Sequence, residues 1–414
     1  MSAKTLIKAG WILTLGARTS NLTDADVLIE DGKVVELGTR IRARGAEVVD
    51  ATNSIVMPGF IDTHRHVSRS LFRNIGELGV VAAEHYQPED VYASTLIGLL
   101  GAIEAGITTV VDWADITPDQ PHVEAALQAH HDSGLRTVFV NSSLGDAAGL
   151  TSCAFASPDL TGANLDRIPE LWASARSKGH RIHAHAGISG SEHGVVSEMS
   201  NLLGEDVTLV HCAYLNDSEF DAVASSKAFV SLTPSSDMAT GLPAPQIQKL
   251  IDRGIRPGLG VDDERLAPGD IFAQMRSTIA IQHATYFDLK LAGKGGLPNL
   301  MGTRDVIRHA TVDGAQVAGL GDVTGSIQPG MQADIVILRA DSPNIYPIND
   351  PIGAVVWGMD TSNIDWVFAA GEALMRDGAV STDVERARAL AVMAQGRVAE
   401  AAGMLVRTGS GDET

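Results

Sequence analysis

Two histidines one residue apart, His64 and His66, close the segment Pro58-Gly59-Phe60-Ile61-Asp62-Thr63-His64-Arg65-His66. The apolar run at 54–61 that leads into them reads as a β-strand. Residues i and i+2 of a strand face the same way, so both imidazoles would stand side by side at its end, half of a metal site. Three further apolar runs end in the same kind of donor. They are His183-Ala184-His185, Val210-His211-Cys212 and Gly258-Leu259-Gly260-Val261-Asp262-Asp263. Imidazoles with one carboxylate suit a single divalent cation, Zn²⁺ first, with Fe²⁺ or Mn²⁺ accepting the same donors. Such an ion lowers the pKa of bound water to about 7. A carboxylate beside it can take the water's proton, and a neighbouring imidazole can hold the nucleophile or polarise the substrate.

These donors need a scaffold that brings separate strand ends together. Strand-like runs fall at 54–61, 107–112, 136–140, 153–156, 180–186, 207–212, 228–233 and 256–262, most of them separated by helical segments. The clearest helix spans 88–104. Pro88, Glu89 and Asp90 occupy its first turn, Leu96, Leu99, Leu100 and Ile103 form its apolar stripe, and Gly106 follows its end. Eight strand-then-helix units in about 250 residues are the count for a (β/α)₈ TIM-like barrel, whose active sites lie at the C-terminal strand ends. The four donor-bearing runs are the first, fifth, sixth and eighth, so their ends would meet at one mouth. Residues 1–57 and 320–383 read instead as short strands and turns, including a hairpin at Asp31-Gly32 and a strand at 355–357. The expected organisation is an α/β barrel at 58–319 inserted in a small β-sandwich domain formed by both chain ends (1–57 plus 320–383). A helix and tail follow at 384–414.

With 414 residues, 44% apolar and 20% charged, the composition is that of a globular protein. A net charge of −20 argues against a nucleic-acid backbone or an anionic membrane as partner. The expected partner is a small-molecule substrate. Cys153 and Cys212 offer no disulfide framework. The residues at 1–15 read as a strand rather than a secretory leader, no membrane span is expected, and a cytoplasmic location is expected. Folds of this kind commonly form dimers or tetramers, so a homo-oligomer is expected.

Taken together these segments resemble the amidohydrolase superfamily, in the branch of cytosine deaminases and triazine hydrolases. The likeness covers almost the whole chain. It rests on residues 58–66, on Gly106-Ile107-Thr108-Thr109-Val110, on Val210-His211-Cys212 and on Gly258-Leu259-Gly260-Val261-Asp262. Gly325-Ser326-Ile327, Pro329-Gly330 and Ala333-Asp334-Ile335-Val336 extend it. The resemblance implies that His64, His66, a strand-five histidine placed at His185, and Asp262 bind one divalent metal. It also implies that Asp262 accepts a proton and that His211 stands beside the metal, contacting water or substrate, or ligating as its counterpart does in other branches. No lysine lies in 153–158 and Lys178 precedes strand five, which favours one metal over a bridged pair. The implied activity is hydrolysis of a carbon–nitrogen bond in a small substrate, most often deamination of an N-heterocycle.

Strand five departs from the pattern. Deaminases of this branch usually carry His-x-x-Glu there, whereas Ala186 and Ile188 stand three residues after His183 and His185. An acid for departing ammonia would then come from Glu192, His193, Asp237 or Asp263. The alternatives are amide, lactam or dehalogenating hydrolysis, which needs less leaving-group protonation, and a non-catalytic binding protein on the same fold. His183 is expected to line the substrate pocket, to enter the ligand set, or to be a satisfied interior residue. Arg69 is expected to recognise an anionic or carbonyl group. Trp113 is expected in the pocket wall with Asp115 and Asn141, and Arg73 in a salt bridge beneath the mouth.

Overall fold

Gly59 divides what reads as one strand into two. In the computed structural model, which describes residues 4–17, 19–75, 83–143 and 147–404, Glu47–Pro58 is a strand of an outer sheet and Phe60–Arg65 is the first barrel strand. The run at 54–61 is therefore not a single strand. A Cβ at Gly59 would lie 2.1 Å from Thr108 Cγ2, so the chain can cross between the sheets here only without a side chain.

The barrel strands are Phe60–Arg65, Ile107–Trp113, Arg136–Asn141, Thr151–Ala156, Ile182–Ala186, Val207–His211, Phe229–Leu232 and Gly258–Leu259, hydrogen-bonded in that order and parallel. Closure occurs at the mouth. Arg65 bridges Asp262 in parallel, Asp262 N–H donates to His64 O (2.8 Å), and His66 N–H donates to Asp262 O (2.9 Å). Strand eight can come this close because of its glycines. A Cβ on Gly260 would meet His64 O at 2.7 Å, and one on Gly258 would meet Thr63 Cγ2 at 2.4 Å.

Alternation along the strands sets what faces where. Ile182, Ala184 and Ala186 pack outward into the main core under the helices, so His183 and His185 face the barrel interior. Lower in the interior, Ile61, Val111, Val138, Val140 and Ala154 pack on Ala315 and Ala318 of the segment that plugs the bottom. The helix Pro88–Glu104 has the bounds its sequence implies, with a reciprocal cap between Gln87 and Asp90. Its Leu96, Leu99, Leu100 and Ile103 are buried, worth about 1.5–3 kcal/mol each.

The chain ends build a second sheet of eight strands, in which Glu47–Pro58 pairs in parallel with Lys4–Ile12 and antiparallel with Ile335–Arg339. The sheet curls until Lys33 bridges Gln332, and it encloses its own apolar core, including Ile7, Val27, Val56, Ile335 and Phe368. Asp31 (φ 49°) and Gly32 (φ 76°) form the expected two-residue hairpin turn between Leu22–Glu30 and Lys33–Gly38. The strand expected at 355–357 is instead a π-helical turn, Ala354–Gly358. Asp350 caps the helical turn at Pro351 that starts it, and Arg276 Nε donates to the Val356 carbonyl. Buried Val355 and Val356 thus satisfy helical packing rather than a sheet. The closing helix is Val384–Ala401.

Candidate metal centre

Five side chains gather at the barrel mouth in two groups that share His64. Donor atoms of His64, His66 and His185 lie within 4.8 Å of one another, and so do those of His64, His211 and Asp262. Asp262 Oδ1 is 3.4 Å from His64 Nε2 and 3.3 Å from His66 Nε2, and His64 Nε2 is 3.4 Å from His185 Nε2. The ring centroids of His64 and His66 are 5.0 Å apart.

Local backbone shape aims two of these groups. His211 (φ 69°), Cys212 (φ 57°) and Asp262 (φ 65°) occupy the left-handed region, at a cost of about 1–3 kcal/mol each. The chain turns away at each strand end and leaves the side chain over the mouth. Cys212 N–H is satisfied by Ala186 O at 3.0 Å.

Each of three histidines is backed by a carboxylate from a neighbouring strand end. His185 Nδ1–H donates to Asp159 Oδ1 (2.9 Å), which follows strand four. His211 Nδ1–H donates to Asp237 Oδ1 (2.7 Å), which follows strand seven and also accepts from Thr233 Oγ1 (2.7 Å). His66 Nδ1 lies 3.1 Å from Asp115 Oδ2 after strand two, an ion-pair distance without hydrogen-bond alignment. A carboxylate facing Nδ1 only accepts, so it keeps the proton there and leaves Nε2 as the free donor atom. Ser236 Oγ–H donates to Asp262 Oδ2 at 2.5 Å.

The electrostatics follow from burial and these contacts. Burial pushes His64 well below the ordinary histidine range, more than Asp262 raises it. Burial would raise Asp262, but His64, His66 and His211 outweigh it and hold the carboxyl well below its usual range. Burial and Arg69 disfavour a charged His66, yet Asp115 and Asp262 outweigh them and push it up to about 9. Two imidazole nitrogens facing each other at 3.4 Å repel unless a proton or a cation lies between them. The donor set of ring nitrogens and one carboxylate oxygen therefore fits a divalent ion of the zinc type.

Among the other expected residues, Trp113 stacks on His185, with centroids 4.1 Å apart. Arg69 donates to Asp115 and, at 2.8 Å, to Asp263, and lines a cavity of about 170 Å³ with Phe72, Tyr86, Ile116 and Arg265. His183 is fully buried, lies outside the five-residue group, and has no partner for either ring nitrogen among the described residues. Burial pushes it down to about 3. Of the candidate acids, Asp237 backs His211, and the other three are engaged with other groups or exposed. Glu192 Oε2 accepts from Gly162 N–H (2.8 Å), and Asp263 is held by Arg69 and Arg265. His193 is exposed to solvent. Arg73 lies 3.9 Å from Glu264, while fully buried Arg65 makes the closer pairs, with Glu264 (2.9 Å) and Asp62 (3.3 Å). Asn141 anchors a loop by donating to Thr117 Oγ1 at 2.6 Å. Sequence reasoning did not find Asp159, Thr233 or Ser236. Their signal is an acid or hydroxyl within a few residues after a strand's C-terminal end, beside a histidine-bearing strand.

The sequence model of the amidohydrolase family matches residues 55–374. The 5′-deoxyadenosine deaminase of Methanosarcina mazei is 27% identical over 417 residues, covering 91% of this chain and 93% of that protein. The 5-methylthioadenosine/S-adenosylhomocysteine deaminase of Acetivibrio thermocellus is 25% identical over 424 residues, with 91% and 95% covered. An adenosine deaminase from Xanthomonas campestris, solved with bound zinc, superposes with a TM-score of 0.81 at 18% identity, covering 96% of this chain and 99% of that one. The atrazine chlorohydrolase of Arthrobacter aurescens TC1, solved with zinc, gives 0.79 at 18% identity, with 94% and 100% covered. At these identities the two structures share the fold with this chain. No described helix is long and apolar enough to cross a membrane.

Proposed function

The chain belongs to the amidohydrolase family, and on that premise we propose that it is a metal-dependent hydrolase that removes the exocyclic amine of a nitrogen heterocycle. The observation that carries this reading is that His64, His66 and His185 bring donor atoms within 4.8 Å of one another while Asp262 Oδ1 lies 3.4 Å from His64 Nε2 and 3.3 Å from His66 Nε2. Those four would hold the ion, with zinc the first choice and Fe²⁺ or Mn²⁺ compatible with the same donors. The substrate class we infer is an adenosine modified at the 5′ position, on which the relatives named above act.

Bound there, the ion would acidify a water molecule and polarise the ring. Asp262, unprotonated in its set of imidazoles, accepts the proton as the water oxygen bonds to the amine-bearing ring carbon. His211, fixed through Nδ1 by Asp237, directs Nε2 toward the same space and orients the water or the ring. The carbon–nitrogen bond then breaks and the amine leaves as ammonia with the proton returned to it. Ile188 has no proton to give, and Glu192 and Asp263 are committed elsewhere. With Asp237 committed to His211 and His193 exposed, that return falls to Asp262 or His211. Trp113 packs His185 in place and Arg69 borders the cavity beside His66.

The test is a screen of zinc-loaded protein against 5′-deoxyadenosine, 5′-methylthioadenosine, S-adenosylhomocysteine, other aminated heterocycles, lactams and chlorinated triazines. Ammonia release with amine-to-hydroxyl exchange, abolished in Asp262→Asn, is the expected result. Ile188 favours one second reading, hydrolysis of an amide, lactam or halide whose leaving group needs less protonation. Turnover of those compounds without ammonia release from any heterocycle would replace the first reading with the second.

A further inference from the structure

The first turn of the short helix Pro234–Ala239, which follows strand seven, holds two groups of the site at once. Asp237 fixes His211, and one residue earlier Ser236, fully buried, donates to Asp262 Oδ2 at 2.5 Å. The hydroxyl must be the donor here, because an ionised carboxylate has no hydrogen to give. With Oδ2 engaged, only Oδ1 faces His64 (3.4 Å) and His66 (3.3 Å). The two oxygens of one carboxylate are thus made different by one side chain.

We propose that Ser236 is a positioning residue that limits Asp262 to one-oxygen coordination and keeps Oδ2 as its proton-carrying atom. This rests on the reading of Asp262 as ligand and proton acceptor. A hydroxyl suits the task because it rotates and is both donor and acceptor. While Asp262 is ionised, Ser236 Oγ–H donates to Oδ2. When Oδ2 takes the water's proton, the new O–H donates to Ser236 Oγ, and the bond survives with its direction reversed. A backbone N–H or an arginine at this place could only donate and would oppose the protonated state. Thr233 and Asp237 belong to the same turn and are themselves buried and bonded to each other (2.7 Å), so the Ser236 hydroxyl is carried on an anchored segment.

The experiment loads the full-length protein with Co²⁺ and records its visible absorption and its affinity by chelator competition, for wild type, Ser236→Ala and Ser236→Thr. Ser236→Ala frees Oδ2 to join the cation. The visible bands weaken toward those of a higher coordination number, and affinity changes by about 10-fold or more. On any substrate found in the screen, kcat falls about 10–100-fold with KM little changed. Ser236→Thr, which restores the hydroxyl, returns the wild-type spectrum. A Ser236→Ala spectrum and affinity identical to wild type would overturn the proposal. So would a spectrum altered equally in both variants, since packing and not the hydroxyl would then be the cause. If Ser236→Ala does not fold, Ser236→Cys, a weaker donor of similar shape, takes its place under the same criteria. The cobalt spectrum needs no substrate, so it judges Ser236 even if no heterocycle is deaminated. Wild type that binds no Co²⁺ would fail the metal-site reading itself.

Discussion

His183→Leu should stabilise the protein, and by more as the pH falls. His183 is fully buried in the barrel with neither ring nitrogen partnered among the described residues, and burial pushes it from 6.5 down to about 3. Between those values the unfolded chain binds a proton that the folded chain refuses. Stability therefore rises with pH across this window and is lost as pH drops below about 6.5, at about 1.4 kcal/mol per pH unit. His183 should therefore contribute almost no pH dependence near pH 7 and about 2.7 kcal/mol of destabilisation at about pH 4.5. Leucine of similar volume removes that proton linkage and also removes an unpaired buried polar group, worth about 1–3 kcal/mol at neutral pH. The assay is urea unfolding of wild type and variant, each with excess metal, at several pH values down to about 4.5. All other titrating groups are common to both proteins, so their difference isolates His183. A gap that stays constant with pH would refute the neutral, buried histidine, and a less stable variant at neutral pH would show that the imidazole is hydrogen-bonded.

Asp159→Asn removes the carboxylate behind His185 and should weaken metal binding about 10-fold in chelator competition. The low end of the usual 10–100-fold range applies because the Asp159 side chain is 43% exposed. Gly260→Ala places a Cβ 2.7 Å from the His64 carbonyl, so strands one and eight must separate. We expect a loss of about 1–3 kcal/mol in unfolding experiments and weaker metal binding, while Gly295→Ala, which meets nothing within 4 Å, does neither. Metal removal by a chelator should lower the melting temperature, and readdition at about 100 times Kd should restore about 2.7 kcal/mol.

The parts of this site that share a stretch of chain were legible in the sequence. His64 and His66 are neighbours on one strand, and Asp262 follows a run whose glycines mark a close strand contact. The helix at 88–104 declared both ends through its proline, its acids and its glycine. Two segments misled for physical reasons. Residues 55–61 carry no polar side chain, so periodicity could not reveal that Gly59 passes the chain from one sheet to another. Residues 355–357 are β-branched and aromatic, but burial against the helix Ile271–Leu291 and the Asp350 cap decide a helical turn. The backing carboxylates were hidden because each pairs with its histidine across strands. Asp159 meets His185 and Asp237 meets His211 at separations of 26 residues, where no local spacing carries a signal.

Metal content of the purified protein bears most directly on the account as a whole. Elemental analysis of wild type and His64→Ala, whose His64 belongs to both donor groups, should find close to one equivalent of a divalent transition metal in the first and almost none in the second. A wild-type protein that holds no metal after incubation with zinc, or a His64→Ala variant that holds as much as wild type, would contradict it.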